Sequence, residues 1–186
     1  MRFKDFLQSI RESPNVAKGI LAQHPEFATM QWEQSGTWIE GSTALHWAAH
    51  DGHLDLVKQL VELGADVQAD QADWWCRPID WASDGGRYEI VAYLLEKGAS
   101  LVGDKWSNCT PLHVVAQGGS TNGKRNPKAY QKTAEILIRA GADINAVVQY
   151  GGQGPQMTAL DEARKLGNKA VEAVLLEHGA KAFHEL

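Results

Sequence analysis

Three histidines offer the first opening for chemistry. His46 and His50 lie four residues apart and His53 follows, a spacing that sets two imidazoles on one helical face, as a zinc site requires. No third ligand is spaced to join them, so the sequence favours structural histidines and no metal. Gly118 to Lys124 satisfies G-x-x-x-x-G-K, the pattern of a loop whose backbone N–H groups cradle phosphates. Arg125 stands where the magnesium-binding Ser or Thr belongs, no strand precedes the loop, and Pro127 follows at once, which argues against a nucleotide site. No Cys-His or Ser-His-Asp arrangement stands out either, so the chain reads as non-catalytic and without cofactor.

Seven tryptophans are many for 186 residues. Trp47 and Trp81 follow His46 and Asp80 in matching contexts and are expected to pack between helices. Trp38, Trp74, Trp75 and Trp106, with Tyr150, fall in connecting segments that also carry Asp70, Asp73 and Asp104. Trp74, Trp75 and Trp106 beside Asp73 or Asp104 have the composition of a cage for a methylated or quaternary ammonium cation.

The elements that position these residues repeat along the chain. From Gly41 to Ala69 the sequence reads as two helices and a stop. Thr43 caps a short helix with Leu45, Ala48 and Ala49 on its apolar face, and Gly52 ends it. Leu54, Val57, Leu60 and Val61 then mark a second helix that Gly64 ends. Neighbouring copies begin at Arg77, Thr110 and Thr158, with first-helix stops at Gly86, Gly119 and Gly167 and second-helix stops at Gly98, Gly141 and Gly179. Ala44 to Pro78 is a step of 34 residues and Pro78 to Pro111 a step of 33. No unit buries its apolar stripes alone, so the units must stack.

With Thr110, Pro111, Leu112 and His113 in place, the chain resembles the ankyrin repeat family, whose signature is T-P-L-H-x-A at a period of 33. The resemblance covers nearly all of residues 43 to 180. It implies an all-α solenoid with projecting β-hairpin fingers, divided as a degenerate capping repeat and long finger (1–42), repeats at 43–76, 77–109 and 110–157, and a C-terminal capping repeat (158–186). It also implies that His46 orders its hairpin by hydrogen bonding, and that the function is recognition of another protein or peptide through the fingers and the concave inner face.

Each copy departs from the pattern somewhere. In the capping repeat Phe3, Phe6, Leu7 and Ile10 form one helix; Ser13 caps a second, with Pro14 first and Val16, Ala17, Ile20 and Leu21 facing inward. Arg77 and Asp80 replace the Thr and His of the pattern, a substitute expected to act as a surface pair of about 0 to 1 kcal/mol. Trp74 stands about where the family's hairpin has Gly. The third copy carries ten extra residues around Gly118 to Lys128, expected as a protruding loop, and Gln149 to Gln156 lengthens the last hairpin. Asp161, Glu162, Arg164 and Lys165 suit an exposed end.

Composition narrows the partners. The formal net charge of −5, with Lys and Arg scattered, argues against nucleic acid. No run of about 20 apolar residues is present, and Asp5 interrupts the start where a signal peptide would be apolar, so a soluble, cytoplasmic monomer is expected. Cys76 and Cys109 occupy equivalent positions on neighbouring repeats; helices about 8 to 10 Å apart exceed a disulfide's reach of about 7 Å, so both thiols should be free. Asp51 and Asp84, at the ends of two first helices, would make the concave face acidic and favour a partner with Lys or Arg beside an apolar group. The partner-binding set is therefore Trp38, Asp51, Asp70, Asp73, Trp74, Trp75, Asp84, Asp104, Trp106 and Tyr150.

Overall fold

A computed structural model describes residues 1–33, 40–71, 76–104, 107–118, 126–152 and 154–186. Its elements alternate as antiparallel helix pairs: α1 (Phe3–Glu12) with α2 (Pro14–Gln23), α3 (Ala44–Asp51) with α4 (Leu54–Glu62), α5 (Pro78–Asp84) with α6 (Tyr88–Glu96), α7 (Pro111–Gln117) with α8 (Pro127–Arg139), and α9 (Ala159–Lys165) with α10 (Lys169–Glu177). The first helices form one row, α1 against α3, α3 against α5, α5 against α7 and α7 against α9. The second helices form another behind it, with α2 against α4, α6 against α8 and α8 against α10. The result is an all-α solenoid.

Small residues let the first helices approach closely. Ala48, Ala49, Ala82, Ala116 and Ala163 are fully buried, while Leu45, Ile79, Leu112 and Leu160 fill the space between layers. Leu56, Val57, Leu60, Ile90, Val91, Leu94, Leu137, Val171 and Leu175 close it from the outer row. This burial lies between neighbouring pairs, so no single centre holds the domain.

Side chains at the start of each first helix set the register. The N–H of Thr43 donates to His46 Nδ1 at 3.1 Å and that of Thr110 to His113 Nδ1 at 3.3 Å. Arg77 and Thr158 donate to the Oδ2 atoms of Asp80 and Asp161 at 2.8 and 2.9 Å, so His and Asp serve alike as acceptors. The same residues reach the next connecting segment: His46 Nε2 donates to the Cys76 carbonyl at 3.0 Å, Arg77 Nη2 to that of Val102 at 2.7 Å, and the Thr158 hydroxyl to that of Lys181 at 2.9 Å. The segments also brace one another, Gln149 N–H donating to Ser107 O at 3.0 Å and Asn108 Nδ2 to Val147 O at 2.9 Å. The last hairpin holds a short antiparallel pair, β1 (Val148–Gln149) and β2 (Gln156–Met157), with Val148 opposite Met157.

Several expectations change. Arg77 and Asp80 are not a surface pair: they are 7% and 5% exposed, with Nε 3.1 Å from Oδ2. The reason is the missing Thr and His, whose space between repeats the pair fills. Glu162, expected at an exposed end, is 3% exposed, because the last hairpin folds over α9. Val16 is 56% exposed, leaving Ala17 and Leu21 as the buried face of α2, and Ser13 precedes that helix without a capping side-chain bond. In the third copy the left-handed stop is Gly118 rather than Gly119, which lies outside the described residues with most of the inserted loop.

Gly98, at φ 88°, has nothing within 4 Å of where a Cβ would stand, so its requirement is conformational alone. Gly98→Val should lower unfolding free energy by about 1 to 2 kcal/mol and Gly98→Asn by clearly less, measured by urea melts. Arg77→Ala, which strands the buried Asp80 carboxylate, should cost about 3 to 5 kcal/mol. Restoring Thr at 77 together with His at 80 should recover most of that loss in the same melts.

Candidate functional site

The first helices form one row of the solenoid, and the fourth residue after each cap holds the same register position along it, half-buried in α3, α5 and α7 and buried in α9. In α3 and α5 this residue is tryptophan. Trp47 and Trp81 are half-buried with ring centroids 5.8 Å apart and planes tilted by 58°. Each indole N–H is held, Trp47 by Ser42 Oγ at 3.1 Å and Trp81 by Gln71 Oε1 at 3.2 Å. His46 meets Trp81 edge-on at 5.3 Å and His50 does so at 6.1 Å, while the Arg11 guanidinium lies 5.5 Å from the Trp47 ring centre. Two aromatic faces thus form a platform fixed at both ends by polar bonds.

The acids beside that platform carry counter-charges. His50 Nδ1 is 2.8 Å from Asp51 Oδ1 and its Nε2 is 3.4 Å from Asp84 Oδ2, so one imidazole bridges α3 and α5. Arg11 Nε adds a looser contact with Asp51 at 3.6 Å. Hydrogen bonds to Asp51 and Asp84 raise the His50 pKa to about 9, making it an imidazolium at neutral pH. The sequence reading counted Asp51 and Asp84 as uncompensated negative charge; the structure pairs both, because the stacking brings His50 between them. His46 turns instead into its hairpin, where burial lowers its pKa to about 4, and His113 is likewise lowered to about 4. The two histidines four apart therefore serve separate networks, and no group of three or more His, Cys, Asp or Glu converges on a metal-sized site among the described residues.

The remaining site residues divide. Asp70 is exposed at a hairpin edge. Asp104 turns back into its own hairpin, accepting from Ser107 N at 2.7 Å, the Ser107 hydroxyl at 2.7 Å and Cys109 N at 2.9 Å. Tyr150 does not project: its hydroxyl meets Gln117 Nε2 and lies 3.6 Å from Cys109 Sγ. Trp38, Asp73, Trp74, Trp75 and Trp106 lie outside the described residues. Cys76 and Cys109 are thiols rather than a disulfide, and burial raises both, Cys76 to about 12. Sequence reasoning missed Arg11, the bridging role of His50, and Glu162, which shares the register position of Trp47 and Trp81; that register was the available signal.

A family model described as "Ankyrin repeats (3 copies)" matches residues 9–104, and a second, "Ankyrin repeat", matches residues 107–148. Among curated proteins, the "Notch-regulated ankyrin repeat-containing protein" of Homo sapiens and that of Xenopus tropicalis are each 53% identical over 36 residues. That stretch is 19% of this chain and 32% of each relative, so the likeness spans about a third of their length. No helix among the described residues is long and apolar enough to cross a membrane.

The histidines predict a domed pH profile of stability. His46 and His113, lowered from 6.5, contribute stability that is fully present above pH 6.5 and lost as pH falls towards 4. His50, raised from 6.5, contributes stability that is fully present below pH 6.5 and lost as pH rises through about 9. Urea melts across pH 4 to 10 should therefore peak near pH 6.5. His50→Gln should flatten the alkaline limb and spare the acid one; an unchanged alkaline limb would show that the bridge carries no stability.

Proposed function

The chain belongs to the ankyrin repeat family, and on that premise we propose that it is a non-catalytic scaffold that binds a protein or peptide through its concave face and the adjoining hairpin fingers. Ankyrin repeats are generally protein–protein interaction scaffolds. The observation that carries the finer reading is the platform of Trp47 and Trp81, whose half-exposed rings stand side by side on consecutive first helices. Large aromatic side chains held rigid by hydrogen bonds make effective interface anchors, since little rotamer entropy is lost on contact. Around them Arg11, His50, Asp51 and Asp84 form a mixed polar rim, which supports a partner with an apolar segment bordered by groups of both charges.

Asp70, exposed at a hairpin edge, belongs to this proposed surface, and Trp38, Asp73, Trp74, Trp75 and Trp106 stay in the proposed partner-binding set on their sequence positions alone. The alternative is a cation cage of Trp74, Trp75 and Trp106 with Asp73 or Asp104 as its acid; Asp104 accepts three bonds within its own turn. Tyr150 is half-buried with its hydroxyl tied to Gln117, so it offers its ring rather than its hydroxyl to this proposed surface.

Capture from a native lysate, followed by affinity measurement with the isolated partner, tests the reading. Trp47→Ala, Trp75→Ala and Trp106→Ala should each weaken binding by more than about 1 kcal/mol, whereas Lys97→Ala, on the outer row of helices, should change almost nothing. Melting curves serve as the control. Variants that melt several degrees lower yet bind normally would move these tryptophans from recognition to packing.

A further inference from the structure

Glu162 stands fourth after its cap, the position held by Trp47, Trp81 and Val114 in the preceding copies. The inner face thus runs from two tryptophans, over a small valine, to a carboxyl. That carboxyl is 3% exposed, and its Oε1 is buried without a hydrogen-bond partner. An acceptor in that condition is costly unless something occupies it for part of the protein's working life. Tyr150 and Gln117 are the side chains that meet the carboxyl, they bond one another, and both are only half-buried. Gln117 is an unbranched side chain on the last turn of α7, so a rotamer change is enough to uncover the site.

We propose that Glu162 receives the guanidinium of an arginine presented by the protein partner of the concave face, with Gln117 as the movable cover. The inference rests on the scaffold reading above and adds the chemistry of one contact. A guanidinium carries several donors in one plane, which suits a carboxyl whose second oxygen lacks a partner. Trp81 and Glu162 lie two repeats apart, roughly 20 Å at about 10 Å per helix, a span of about six residues in an extended segment. A partner strand with an apolar residue over the tryptophans and an arginine six positions away would satisfy both. The basic preference expected from Asp51 and Asp84 moves to Glu162, which no cation among the described residues meets at hydrogen-bond distance.

Proton linkage gives a second signature. The groups around Glu162 are the Tyr150 hydroxyl and Cys109 thiol from the hairpins, Gln117 from α7, and Asp161 and Lys165 from α9 itself. Burial holds the Glu162 carboxyl above its ordinary range. A guanidinium that seats there favours the ionised form, so docking should tighten as pH rises through the Glu162 titration.

The test is an NMR titration of the full chain with Nα-acetyl-arginine methylamide, beside its neutral citrulline counterpart. Saturable shifts at Glu162, Gln117 and Tyr150 are expected with the arginine probe, with the citrulline probe at least about tenfold weaker. Glu162→Gln should abolish the difference, and Gln117→Ala, which removes the cover and leaves the carboxyl, should strengthen the arginine response. Absence of saturable shifts, equal response to both probes, or discrimination that survives Glu162→Gln would each overturn the proposal. Because the probe needs no natural partner, failure here leaves the tryptophan platform to its own test, and loss of the platform leaves this result standing.

Discussion

Register in this structure depends on one kind of contact, the reach of a first-helix start into the next connecting segment, made by His46 in α3, Arg77 in α5 and Thr158 in α9. The residue at the cap or three positions later binds its own helix with one atom and a carbonyl of the following segment with another. His46 does this with two ring nitrogens, and Thr158 with a hydroxyl helped by Asp161. Such bonds are worth about 1 kcal/mol each, far less than the apolar burial between helices. Their importance lies in register. Apolar faces rich in Ala and Leu can slide, whereas a bond between a buried ring nitrogen and one carbonyl cannot shift without leaving both groups unpaired.

The second complete copy shows how far this contact can change in chemistry while keeping its geometry. Arg77 and Asp80 reproduce the acceptor at the cap through Oδ2 and the donor to the next segment through Nη2. The exchange brings two charges into a space that the pattern fills with neutral groups. Desolvation acts against the Asp80 carboxylate, and the adjacent guanidinium is what makes the arrangement tolerable. The result is a local dependence of one residue on the other that neutral copies do not have.

On the inner face the same stacking creates a surface whose charge is largely satisfied internally. His50 bridges carboxylates from two repeats, and Arg11 reaches in from the capping pair. Residues from three consecutive helix pairs therefore meet around Trp47 and Trp81. The two positive charges of Arg11 and the His50 imidazolium offset the two negative charges of Asp51 and Asp84.

Much of this was legible in the chain itself. The period, the paired helices and the left-handed stops at Gly52, Gly64 and Gly98 all follow from spacing and local conformational preference, which act within a few residues. Other features waited for the tertiary structure. Whether Asp51 and Asp84 are free acids depends on His50 standing between repeats; whether Arg77 is a surface residue depends on the next segment covering it. Tyr150 reads as a finger tip until its hairpin folds back over α9, and Glu162 reads as an exposed helix end until the same hairpin buries it. The division has one physical cause: hydrophobic period and turn chemistry are properties of neighbouring residues, while burial and charge compensation belong to groups some 30 residues apart that meet only when the repeats stack.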